Sequence, residues 1–190
     1  GKTISEIKKK YNFVSEDVIF SRNNMILSSE KKTNIKDNNK NHYSLDKFNY
    51  SIKDKKLKGE NILLITNFDL PKSDKYYFKS GFFNFNDKEF LAKDTKILLH
   101  SDLFGISENN PRIKGVSSSS KNGVTTINKA VFTSCKINDD KCPPWSISAK
   151  KIAHDKNKKQ LIYEDAVLKV YDLPVVYFPK FFHPDPSVER

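Results

Sequence analysis

Tyr77–His100 reads YFKSGFFNFNDKEFLAKDTKILLH. An aromatic start and an apolar alternation lead into the charged turn Asn86-Asp87-Lys88, and a second alternating stretch follows. A period of two is the mark of a strand with one buried face. The same order recurs in Tyr43–Thr66, YSLDKFNYSIKDKKLKGENILLIT, around Lys53-Asp54-Lys55. It returns in Trp145–Tyr171, WSISAKKIAHDKNKKQLIYEDAVLKVY, around Asp155-Lys156-Asn157. The first two copies start 34 residues apart and the third starts 68 after the second, which leaves room for a degenerate copy over Leu103–Thr133. Within that copy Ser117–Gly123 reads as a flexible linker ahead of Val124–Thr133. A single hairpin cannot bury its apolar face, so such units stack. The expected fold is all-β, built from repeated hairpin units: two antiparallel layers, or one sheet folded on itself, with alternate residues lining the inside.

Outward from the repeats, Gly1–Lys10 reads as a short helical turn. Tyr11–Val14 and Val18–Phe20 flank Ser15-Glu16-Asp17 as strand, turn, strand. Asn23-Asn24 marks a turn before Met25–Leu27, and polar Lys31–Asn41 reads as a loop or a long hairpin tip. At the other end Tyr163–Tyr171 alternates, and Leu173–Phe182 is almost continuously apolar, broken by Pro174 and Pro179. His183-Pro184-Asp185-Pro186 follows, where each proline lacks a donor and holds the preceding residue extended. This reads as a strand that leaves the sheet: residues 1–172 form the β domain and 173–190 a proline-rich connector.

The chain has 190 residues and a net charge of +11, 34 Lys+Arg against 23 Asp+Glu. Mean hydropathy is −0.64, normal for a thin two-layered β structure. No apolar run reaches the roughly 18 residues of a membrane helix, and no signal peptide is recognised. The chain is expected to be a piece of a longer protein. The charge suggests an anionic partner, yet only Arg22, Arg112 and Arg190 are arginine, and bidentate readout of phosphate or bases favours arginine. The lysines therefore read first as a solvated surface.

Catalytic readings find little footing. His42, His100, His154 and His183 lie in four different segments, and Asp139-Asp140 and Glu164-Asp165 fall in turns or at strand starts. There is no βαβ alternation and no glycine-rich phosphate loop, so no enzyme and no cofactor is expected. Cys135 and Cys142 form a close pair, a disulfide in an oxidising compartment and incidental or metal-binding elsewhere. No histidine completes a zinc pattern beside them, so no metal is expected. Tyr76-Tyr77-Phe78-Lys79 has the aromatic and basic character of a nucleic-acid platform, and is read instead as the packed face of a strand. Long alternating strands bordered by lysine suit either a closed core or an open apolar groove with a cationic margin. The residues alone leave that choice open.

The C-terminal third adds a resemblance. Ala130–Cys135 (AVFTSC), Cys142–Ile147 (CPPWSI), Lys151–Asp155 (KIAHD), Tyr163–Ala166 (YEDA), Leu173–Pro179 (LPVVYFP) and His183–Pro186 (HPDP) occur in one order. In that order they resemble the periplasmic, OstA-like domain of the lipopolysaccharide-assembly protein LptD, also called organic solvent tolerance protein. The likeness covers about Pro111–Arg190; earlier in the chain only the β repeat is shared.

The resemblance implies an open, twisted antiparallel β-jellyroll on the periplasmic side of the outer membrane of a Gram-negative bacterium. It implies transport of lipopolysaccharide, whose acyl chains would lie in the groove; Leu64, Leu99, Ile147 and Leu168 are the expected lining. It also implies an LptA-like bridge protein joined by edge-strand pairing, an LptE-like lipoprotein, and an outer-membrane β-barrel reached through Pro174, Pro179, Pro184 and Pro186. Nucleic acid is not an expected partner. Cys135 sits at the family's Thr-Ser-Cys position, whose cysteines form disulfides to the barrel. Cys142 departs from the family, so local pairing of Cys135 with Cys142 and pairing with a barrel cysteine both stay open. The alternative function is a periplasmic scaffolding module that binds only proteins.

Overall fold

The computed structural model describes residues 1–7, 11–101, 109–136, 143–155 and 157–184, and of 2–7 and 11 the backbone only. Among the described residues fifteen strands form one antiparallel sheet that is not closed into a barrel. The N-terminal strands are short: β1 (Lys2–Ile7), β2 (Tyr11–Glu16), β3 (Ile19–Ser21), β4 (Ile26–Ser29), β5 (Thr33–Asp37), β6 (His42–Leu45) and β7 (Lys47–Ser51). Eight long strands follow: β8 (Lys56–Ile65), β9 (Lys75–Asn84), β10 (Glu89–Leu98), β11 (Arg112–Lys121), β12 (Val124–Thr133), β13 (Trp145–Asp155), β14 (Gln160–Val170) and β15 (Leu173–Pro184). From β8 to β15 each strand pairs with the next. This is the repeated hairpin order read from the sequence, and the degenerate copy is the β11–β12 hairpin.

The turns β7–β8, β9–β10 and β13–β14 share one chemistry. Lys55, Lys88 and Lys159 each sit just before a returning strand with φ of 52°, 55° and 49°. A side chain at the end of the outgoing strand accepts the turn's amides. Ser51 Oγ accepts from Asp54 N–H, Asn84 Oδ1 from Asn86 N–H, and Asp155 Oδ1 from Asn157 and Lys158 N–H. Short polar side chains bond locally in this way and fix where the chain reverses.

β8 is where the sheet divides. Its first half, Lys56–Glu60, pairs with β7, and its last residues, Leu63–Ile65, pair with β6. Beyond β8 one limb therefore continues as β6, β5, β2, β1 and the other as β7, β4, β3. From β8 to β15 both limbs are halves of the same strands. The two limbs meet inside, with Phe13 against Phe48 at 5.6 Å and Phe78 against Phe90 at 5.9 Å between ring centroids.

Several expectations are corrected. Gly1–Lys10 is not a helical turn: Lys2–Ile7 forms β1. Val14 and Val18 do not flank a hairpin, since β2 pairs with β1 and β5 whereas β3 pairs with β4 in the other limb. Lys31–Asn41 contains β5, whose Thr33 is fully buried and bonded to Ser15 Oγ at 2.7 Å. Ser117–Lys121 is not a linker but half of β11, with only Asn122-Gly123 in the turn. Finally, Leu173–Pro184 does not leave the sheet. It pairs with β14 along Gln160–Val170 as an edge strand, so the β domain extends past residue 172. Prolines are tolerated there because an outer edge needs no donor.

Candidate functional site

The inner face is made by a crease that crosses the long strands. Burial in β8, β10, β12 and β14 shows two inward residues separated by two outward ones: Gly59 and Ile62, Ala92 and Thr95, Ile127 and Ala130, Tyr163 and Ala166. The second outward residue is in each case left-handed, at Asn61 (φ 48°), Asp94 (50°), Lys129 (47°) and Asp165 (50°). These four follow directly on one cross-strand row, Glu60–Ser80–Lys93–Ser117–Asn128–Lys151–Glu164–Lys180. A left-handed residue at one register position in alternate strands bends the whole sheet along a line and reverses the in–out alternation beyond it. Asn and Asp take this conformation at low cost; lysine does not.

Bending brings inner side chains together, and the residues beside the crease are sized for it. On five strands one partner is small and the other large: Gly59 with Ile62, Gly81 with Phe78, Ala130 with Ile127, Ala149 with Ile152, Ala166 with Tyr163. In β10 and β11 both are small, Ala92 with Thr95 and Gly115 with Ser118, and Thr95 Oγ1 and Ser118 Oγ hydrogen bond across the crease at 2.7 Å. A Cβ on Gly115 would overlap Ile127 Cγ2. The glycine is there because the Ile127 side chain packs directly onto its backbone.

Two apolar clusters fill the fold. One holds Ile97, Ile113, Ile127, Ala130, Phe132, Ile152 and Tyr163; the other holds Leu45, Phe48, Ile62, Phe78 and Ala92. Tyr76 packs against both. Burial holds the hydroxyls of Tyr76 and Tyr163 un-ionised up to about 12, with Asp74 adding to the effect at Tyr76. Tyr163 stacks on Phe181 at 4.4 Å, and its hydroxyl meets His183 Nε2 at 3.2 Å.

Away from the crease, one inner row crosses the molecule without a break: Tyr43–Leu64–Tyr76–Ile97–Ile113–Phe132–Ile147–Leu168–Val176. Three of the four expected lining residues, Leu64, Ile147 and Leu168, lie in this row. Leu99, one inner position beyond Ile97, packs with Ile147 against the first cluster. All four therefore share the inner face, and all are half-buried. The charged side chains nearby point out, as Lys96 and Lys114 do one residue from Ile97 and Ile113.

The remaining expected residues divide. Pro174, Pro179 and Pro184 are exposed in β15, beside Leu173 (69% exposed), Tyr177 (58%) and Phe182 (68%). Pro186 and Cys142 lie outside the described residues. Cys135 is half-buried; its N–H donates to Thr133 Oγ1 and its carbonyl accepts from Arg112 Nη1 at 2.6 Å. Sequence reading missed the crease residues altogether. Their signal was the tetrad of inward, two outward, inward residues, starting at Gly59, Ala92, Ile127 and Tyr163, intervals of 33, 35 and 36 residues. Comparison with protein-family models and with curated proteins finds no match.

Proposed function

We propose that this chain is a lipopolysaccharide-transport module, whose folded sheet shields acyl chains and hands the lipid toward an outer-membrane β-barrel. The observation that carries the reading is the unbroken inner row from Tyr43 to Val176, which runs to the unpaired β15 edge. Its half-buried members keep part of their surface open, and each methylene they shield contributes on the order of 0.8 kcal/mol. The residues tight against the crease stay packed, so a guest lies toward the rims. The motifs of the C-terminal third support the same family. Under this reading the site is periplasmic, an LptA-like bridge protein adds its strand to the unpaired edge of β1, and an LptE-like lipoprotein accompanies the barrel.

The second reading, a scaffold that binds only proteins, draws on the same unpaired edges. Photo-crosslinking residues at Leu64, Leu99, Ile147 and Leu168 in growing Gram-negative cells separate the two. Lipopolysaccharide adducts at these positions support transport. Protein adducts at the edges with none inside would leave the scaffold.

A further inference from the structure

One residue away from the inner row lies its outward counterpart, Tyr77–Lys96–Lys114–Val131–Ser148–Val167–Tyr177. It crosses seven strands, β9 to β15, about 29 Å at ~4.8 Å per strand. Tyrosines stand at both ends, with lysines and valines between. Lys96 Nζ lies 5.6 Å above the Tyr77 ring. Lys79 and Lys129 flank the row on the crease side, and Val116 (55% exposed) and Val131 (41% exposed) protrude among them.

The charges here are not balanced. Lys96 stands directly opposite Lys114 in the ladder, an arrangement that works against pairing. Lys79, Lys96, Lys114 and Lys129 make no ion pair among the described residues. Among the described residues the acids on this face are Asp94, in the strand beside Lys79, and Asp165, which Lys150 and the Tyr177 hydroxyl already hold at 3.7 and 2.8 Å. On the opposite limb Lys47, Lys121 and Lys151 each hold a glutamate, at 2.8, 3.1 and 3.2 Å, while Lys58 and Lys93 make no ion pair among the described residues.

We propose that this outer face docks flat on an anionic lipid bilayer, independently of what the inner groove carries. An extended face of unpaired lysines is complementary to a surface of distributed negative charge, and lysine acts as a point charge that needs no fixed partner geometry. Protruding valines and terminal tyrosines suit the headgroup boundary, where rings with one polar end settle. An acidic protein would satisfy the lysines but not the valines between them.

The test is flotation of the full chain with vesicles of phosphatidylcholine alone or with 30% phosphatidylglycerol, all free of lipopolysaccharide. Binding is expected to the anionic vesicles only, and to weaken at least tenfold in the Lys96→Glu/Lys114→Glu variant. The Lys58→Glu/Lys93→Glu variant on the other limb carries the same charge change and is expected to stay within twofold of the parent. Equal losses in both variants, no binding to anionic vesicles, or binding to polyglutamate but not to vesicles would each overturn the proposal. None of these outcomes bears on crosslinking at the inner positions.

Discussion

Lys129 carries a cost that Asn61, Asp94 and Asp165 avoid. All four hold φ near +50°, yet only asparagine and aspartate enter that region readily. Lys129→Asn should therefore raise stability by about 0.5–1 kcal/mol, seen as a higher midpoint in urea with an unchanged slope. Burial gives a second prediction at this scale. Tyr76 and Tyr163 are pushed up to about 12 in the folded chain, against an ordinary value of 10.0. The unfolded chain thus loses these protons first, so stability is intact below pH 10 and declines as pH rises from there through 12. Absorbance titration at 295 nm should show two of the eight tyrosines ionising only as the fold is lost. Individual residues were partly legible in the sequence. Leu64, Ile147 and Leu168 follow from strand alternation, but the tetrads that hold Asn61 and Asp165 announce a reversal only when the four are set side by side. That reversal is a property of several strands bending on one line.

Among the elements, β15 is where sequence and structure part. A nearly continuous apolar run with prolines every five residues reads as chain leaving a sheet. The same features describe an outermost strand, because the missing donors at Pro174, Pro179 and Pro184 fall where no neighbour needs them. Prolines on an exposed apolar edge also block further pairing. Pro174→Ala with Pro179→Ala should leave the circular dichroism spectrum unchanged and increase self-association in sedimentation velocity. Loss of β signal in that variant would mean instead that the prolines hold β15 in place. The β9–β10 hairpin shows the opposite case. Its turn and its pairing partner were readable, since the hairpin closes on itself from Glu89 against Asn84 outward. β2 and β3 were misjoined because β2 pairs with β5, beyond the local β3–β4 hairpin that carries β3 into the other limb.

Over the whole molecule, an open sheet creased along one line gives a single interior shared by two limbs and unpaired edges at its ends. The all-β class and the hairpin repeat were visible in periodicity. The folding line was not, because it is written in small residues, Gly59, Gly81, Ala92, Gly115, Ala130, Ala149 and Ala166, scattered through 108 residues of sequence. The central claim is that the inner face, and not the outer, meets lipopolysaccharide. Neighbouring residues of the same strands test it most directly: a photo-crosslinker at Ile147 or Leu168 inside, against Ser148 or Val167 outside. Lipopolysaccharide adducts at Ile147 and Leu168, with none at Ser148 and Val167, are the predicted result. Adducts of equal yield on both faces, or on the outer face alone, would contradict it.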